Sequence, residues 1–251
     1  MPAQILNAAV SPAPRPSLPH KIPLLNYSHP TTVTCLIFDF DGTIAETLAA
    51  IVRIVNQLAP QFGYSPVNAE TLASLQNLNT RQIIQQSEMA SYKVPFLIRR
   101  LQKELSQEID QLELIEGMEA TLRSLHAQNH RLGIVTSNSA RNVNRFLHHH
   151  HLDDLFSFVY TGTRLFGKSR VLRQAIRRQA LDKAQVIYIG DETRDVEAAH
   201  AVSLKVASVA WGFNSRASLE AYRPDFLLTH PSEILQIAAQ GQLAPKAMTE
   251  T

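Results

Sequence analysis

From Val33 to Thr47 the chain reads VTCLIFDFDGTIAET: six mostly apolar residues run into two aspartates, Asp39 and Asp41, and then turn at once on Gly42-Thr43. Holding two like charges together in an apolar setting costs free energy unless something cationic neutralises them. The stretch therefore asks for a metal ion, an anionic substrate, or both. Three later points repeat the theme. One apolar run ends in Thr136-Ser137-Asn138, another ends in Gly190-Asp191 with Asp195 four residues on, and Gly167-Lys168 stands just before a helical pattern.

These residue types suit phosphoryl chemistry. A strand-end carboxylate beside Mg²⁺ can attack phosphorus, and a second carboxyl two residues on projects from the same side of an extended chain. That second group can protonate a leaving oxygen and later activate water. Gly42 lets the backbone approach a phosphate and present N–H groups to it. Thr43, Thr136, Ser137 and Asn138 add polar groups at the same edge, and Thr136 can donate its hydroxyl to a phosphoryl oxygen. Lys168 supplies positive charge both for developing negative charge and for Asp39. Asp191 and Asp195 complete a cation's oxygen shell, directly or through water.

Elements that would gather these groups are legible in the hydrophobic pattern. Val33–Phe38 and the segments 131–136, 156–160, 185–190, 204–210 and, more weakly, 224–228 are short β-rich runs without polar alternation. Such runs suit strands buried on both faces. Amphipathic segments at 117–129, 139–149, 169–180, 193–201 and 231–240 lie between them. Alternating strand and helix predicts an α/β fold, a parallel sheet flanked by helices, with ligands outside the carboxyl ends of its strands. Residues 47–114 break the alternation with helical patterns only, which predicts a small all-helical cap domain inserted after the first strand. The core then comprises 32–46 and 115–240.

Length and composition agree with one such core plus an insert: 251 residues, 45% apolar and 18% charged, with a net charge of +2. That charge does not point to nucleic acid, and RRLQK and RQAIRRQ read as solvated helix faces. No apolar run approaches the roughly 20 residues of a membrane helix. The single cysteine, Cys35, lies in the first apolar run, which fits a reducing compartment and a cytoplasmic protein. Residues 1–31 hold seven of the thirteen prolines and no acidic residue, as expected of a flexible leader; 241–251 read as a flexible tail. His148–His151 read as a solvated helix end, since four successive side chains on a helix cannot all face one ion.

DFDGT, VTSN, GK and GDETRD, in this order and at these strand ends, resemble the four motifs of the haloacid dehalogenase-like superfamily. The resemblance implies a Rossmann-like core, Mg²⁺, Asp39 as nucleophile and Asp41 as general acid/base. It also implies phosphate binding by Thr136 and Lys168, metal ligation by Asp39, Asp191 and the Asp41 backbone carbonyl, and Asp195 in the outer shell. Dehalogenases and phosphonoacetaldehyde hydrolases of the superfamily lack the second aspartate, so its presence here leaves a phosphatase or a phosphomutase. Two positions depart from the family pattern: Glu46, where aspartate is frequent, and KSRVL, where Pro-x-Pro often follows the lysine.

The ending VASVAWGFNSRASLEAYRPDFLLTHPSEIL is similar to that of phosphoglycolate phosphatase-like members, with Trp211, Phe213 and Phe226 expected as packing anchors. The expected function is Mg²⁺-dependent hydrolysis of a small phosphorylated metabolite, 2-phosphoglycolate first, by a monomer or homodimer. Phosphosugar hydrolysis, a phosphohexomutase and a catalytically silent binding protein are the alternatives. Arg81, in Asn79-Thr80-Arg81 at the opening of a cap helix, could pair with a substrate carboxylate or be simply solvated; Lys93, Arg99 and Arg100 could serve instead.

Overall fold

The computed structural model describes residues 35–87, 89–162 and 167–240. The expected leader and tail, and Val33 and Thr34 of the first run, lie outside them. Six parallel strands form one sheet: β1 (Cys35–Phe38), β2 (Arg131–Val135), β3 (Phe156–Tyr160), β4 (Val186–Gly190), β5 (Lys205–Val209) and β6 (Phe226–Leu228), in the spatial order β3-β2-β1-β4-β5-β6. The chain runs outward from β1 on one side, then crosses back to β4 and proceeds the other way. That reversal opens a crevice at the carboxyl ends of β1, β2 and β4, where open α/β sheets bind ligands.

Strand side chains alternate between two cores, as the pleat requires. Leu36 and Phe38 of β1, Ile187 and Ile189 of β4, and Ala207 and Val209 of β5 face one side. They pack there with α5 (Met118–Ala127), α6 (Ala140–His149) and α10 (Glu233–Gln240). Cys35, Ile37, Val186, Tyr188 and Val206 face the other side, against α7 (Lys168–Arg178) and α8 (Thr193–His200). Burial on both faces explains why these strands read as continuous apolar runs.

Between β1 and α5 lie the helices α1 (Leu48–Phe62), α2 (Ala69–Leu75), α3 (Thr80–Gln86) and α4 (Val94–Glu108). Departure and return are tied together: the Glu46 N–H donates to the Glu113 carbonyl (2.9 Å) and the Ile115 N–H to the Ile44 carbonyl (2.9 Å). α1 and α4 bury Ile54, Leu58 and Leu105 in a core continuous with the sheet's first face. α4 stops at Glu108, because Ile109–Gln111 tightens to a 3₁₀ turn and Leu112 is extended. A short helix, α9 (Arg216–Ala221), follows β5 in a stretch where no helix was expected. Among the described residues no helix is long and apolar enough to cross a membrane.

Ile189, fully buried, also offers its carbonyl to the Asp39 N–H at 2.8 Å. Ile189→Ala is expected to cost about 2–5 kcal/mol and Ile189→Val only about 0.5–1.5 kcal/mol, read as shifts of the urea midpoint.

Candidate active site

Three of the expected groups sit where a strand runs out. Asp39 follows β1, Thr136 follows β2, and Asp191 follows β4. Lys168 opens α7 and Asp195 lies in the first turn of α8. A cation at a helix N-terminus is disfavoured by the helix dipole, so Lys168 needs other partners there. It finds them: Nζ donates to Asp39 Oδ2 at 2.6 Å and also to Asp195 Oδ1. The ring of Tyr188 lies beneath, 5.8 Å from Nζ, and the Tyr188 hydroxyl donates to Asp195 Oδ1 at 3.2 Å. Burial works against the charge on Lys168, yet the carboxylates of Asp195 and Asp39 raise its pKa above the ordinary lysine value.

Asp39, Asp191 and Asp195 are all buried, and each offers a carboxylate oxygen within 4.8 Å of the others'. One ammonium faces three carboxylates. Burial, with Glu192, Asp195 and Asp39 nearby, pushes Asp191 well above the usual carboxylate range; burial raises Asp195 to about 6. Such a set of hard oxygen donors with excess negative charge fits a small divalent cation. Within it the acids differ. Asp195 Oδ1 accepts from Lys168 and Tyr188, while its Oδ2 accepts the Glu192 N–H (3.0 Å) in a capping box at the start of α8. Asp191 Oδ1 accepts the Thr43 hydroxyl (3.0 Å) and Oδ2 the Phe213 N–H (2.7 Å).

Asp41 stands apart from the trio and is partly exposed. Asn138 Nδ2 lies 3.0 and 3.1 Å from its two carboxylate oxygens. Asn138 is itself fixed, its Oδ1 accepting from the Ser139 N–H and from Asn142 Nδ2, and its N–H donating to Thr136 Oγ1. That last bond leaves the Thr136 hydroxyl proton for an outside acceptor. Desolvation and the neighbouring charge of Asp39 raise Asp41 to about 7, against the pull of Asn138.

Two expected contributions take another form. The Gly42 N–H is committed to the Ala45 carbonyl at 3.0 Å, so it is not presented to a ligand. What Gly42 supplies is space: at φ +70° a Cβ would fall 2.3 Å from Asp191 Oδ2. The Thr43 hydroxyl is likewise occupied, orienting Asp191. Trp211 and Phe213 do more than pack. Trp211 Nε1 donates to the Thr43 carbonyl (3.2 Å), and the Phe213 N–H holds Asp191. Gly212 between them leaves room for Asp191, whose Cβ would lie 2.2 Å from a Cβ placed there.

Residues of the insert reach the same edge. Gln102 of α4 donates to the Ser137 carbonyl (2.9 Å). Asn214 accepts the Thr193 N–H and donates to the Gln76 and Leu78 carbonyls, joining the loop after β4 to the loop before α3. Asn79 caps α3 and also donates to the Tyr222 hydroxyl (2.9 Å). Arg81 is exposed and lines a cavity of about 250 Å³ together with Asn79, Thr80, Lys168, Ser169 and Arg194. Lys93 donates to the Phe62 carbonyl and Arg100 pairs with Glu104, and neither lines this cavity. Arg194, absent from the expected site, is in it. His148–His151 end α6, exposed apart from the half-buried His150, as expected.

Residues 36–209 match the family described as haloacid dehalogenase-like hydrolase. The chain belongs to that family. Over 205 residues it is 41% identical to the phosphoglycolate phosphatase of Synechococcus elongatus, a match spanning 82% of this chain and 97% of the relative. It is 26% identical over 209 residues to the pyrophosphatase PpaX of Bacillus cereus, covering 82% of this chain and 96% of that one. In fold it is similar to a haloacid dehalogenase-like family hydrolase from Streptococcus pneumoniae, with a TM-score of 0.70 at 20% identity, over 81% of this chain and 97% of the other.

Asp41 gives a signed pH prediction. Its pKa is about 7 folded against 3.8 for a free carboxyl, so between those values the folded state binds more protons and loses stability as pH rises. With chelator present, the melting temperature of Asp41→Asn is expected to gain on wild type as pH is raised from about 4 to about 7. Gly212→Ala, which drives a methyl into Asp191, is expected to cost about 1–3 kcal/mol in thermal unfolding and to weaken Mg²⁺ binding measured by calorimetry.

Proposed function

We propose that this protein is a Mg²⁺-dependent phosphatase that hydrolyses a small phosphomonoester, 2-phosphoglycolate first among them, through a phosphorylated Asp39. One observation carries the reading: the Lys168 ammonium bonded to Asp39 inside a buried trio of carboxylates whose oxygens lie within 4.8 Å of one another. Relatedness to a phosphoglycolate phosphatase at 41% identity supports the choice of substrate.

In this scheme an Asp39 carboxylate oxygen attacks phosphorus, the P–O bond to the alcohol breaks, and an acyl phosphate forms. Lys168 balances the charge on Asp39 and on the phosphoryl group, and the Thr136 hydroxyl donates to a phosphoryl oxygen. Asp41, held by Asn138 and carrying a pKa of about 7, gives its proton to the leaving alkoxide. It then takes a proton from the water whose oxygen attacks phosphorus, releasing phosphate and restoring Asp39. Mg²⁺, held by Asp39, Asp191 and the Asp41 carbonyl with Asp195 outside the shell, would neutralise the phosphoryl oxygens.

Residues 47–114 act here as a cap. Gln102, and the Gln76 and Leu78 carbonyls bound by Asn214, dock it on the core beside the site. The cavity of about 250 Å³ beneath it is smaller than the roughly 300–1,000 Å³ of pockets for drug-sized ligands.

Phosphate release from a panel containing 2-phosphoglycolate, pyrophosphate and hexose phosphates, with Mg²⁺ and with chelator, tests the proposal. Expected are Mg²⁺-dependent turnover with 2-phosphoglycolate fastest, none above background for Asp39→Asn, and a loss of about 10²–10⁴ for Asp41→Asn. Full activity in Asp39→Asn would overturn the mechanism. A preference for pyrophosphate would overturn the substrate.

A further inference from the structure

Arg194 has no part in the scheme above, yet it occupies a costly place. It stands in the first turn of α8, where the helix dipole disfavours a cation, and its side chain is 16% exposed. Nη2 pairs with Glu192 and lies 3.5 Å from the Ser137 hydroxyl. Nε and Nη1 are buried and have no hydrogen-bond partner among the described residues. Together these two nitrogens carry three N–H donors. Buried guanidinium donors left unbonded cost more than neutral ones, and native structures rarely keep them without a ligand or a function. Carboxylates around the group, Glu192, Asp195 and Asp39, hold its charge firmly in place.

Arg194 is among the residues that line the cavity of about 250 Å³, together with Lys168 on the core and Asn79, Thr80 and Arg81 on the insert. Two tasks at this edge are already served: Lys168 and Thr136 face a phosphoryl group at Asp39, and Asp41 faces the leaving oxygen. A further cation at this edge has no work in hydrolysing a phosphomonoester whose alcohol is neutral. We infer that Arg194 is a specificity-determining residue, binding a carboxylate carried by the leaving group through its unpartnered N–H groups. Planar guanidinium and carboxylate match in geometry, and a bond made in a water-poor cavity discriminates well. The inference rests on the phosphatase reading and assigns its substrate class: short phosphomonoesters whose alcohol bears a carboxylate.

The test compares kcat/KM for 2-phosphoglycolate and for ethyl phosphate, which match in length but differ by that carboxylate, in wild type, Arg194→Gln, Arg194→Lys and Glu192→Gln. The wild type is expected to prefer 2-phosphoglycolate. Arg194→Gln is expected to reduce the ratio of the two kcat/KM values at least about tenfold, chiefly through KM for 2-phosphoglycolate, as loss of a charged hydrogen bond would. Arg194→Lys should recover part of the ratio. Glu192→Gln, which leaves the guanidinium and releases its ion pair, should keep or raise it, and it reads the proposal even where Arg194→Gln fails to fold. Equal losses on both esters, or an unchanged ratio, would overturn the assignment. So would loss of the preference in Glu192→Gln, which would make the ion pair a scaffold only. Should the wild type hydrolyse neither ester, the phosphatase reading falls by itself. Calorimetric binding of 2-phosphoglycolate against ethyl phosphate, in the same four proteins, then decides Arg194 by the same ratio.

Discussion

Everything at the carboxyl edge of the sheet depends on one buried ammonium. Lys168 lies between Asp39 and Asp195, 2.6 Å from the former, with the Tyr188 ring behind it. A lysine or a carboxylate buried alone in such a place is costly, and their pairing offsets part of the cost of both. One ammonium does not balance Asp39, Asp191 and Asp195. The residual negative charge is what a divalent cation would neutralise; burial first, and then neighbouring carboxylates, raise Asp191 and Asp195.

Close approach is the second constraint, and it falls on backbone rather than side chains. Asp191 fits only because Gly42 and Gly212 carry no Cβ, and Asp195 only because Gly190 carries none; a methyl there would lie 2.5 Å from Asp195 Oδ2. The Trp211–Phe213 segment closes over Asp191 from the end of β5, and its Trp211 N–H steadies the Thr43 carbonyl. Asn214, the next residue, carries that order into the insert by bonding the Gln76 and Leu78 carbonyls. The loop that positions the carboxylates and the loop that opens α3 therefore share one side chain.

Much of this was legible in the residues. Strands buried on both faces announce themselves as short apolar runs, and the chemistry-bearing groups stand at or just past their carboxyl ends, so DFDGT, VTSN, GK and GDETRD mark that edge in the sequence. Less legible was which atom each residue uses. Gly42 offers room rather than an N–H, and Thr43 serves Asp191, because both tasks depend on a chain segment some 150–170 residues away. α9 was missed because six residues leave too little periodicity to detect. Arg194 was missed because an arginine beside acids reads as an ordinary surface pair. Only its burial and its unbonded nitrogens distinguish it, and neither is visible in composition or spacing.

The central claim is that the phosphoryl group passes through Asp39. Acid quenching of the protein during turnover of 2-phosphoglycolate with Mg²⁺, followed by mass spectrometry of the peptide holding Asp39, tests it most directly. The account predicts a fraction of that peptide heavier by one phosphoryl group, labile to mild base and absent with chelator. Steady phosphate release with the label found on no residue would contradict it, since water would then attack the substrate directly.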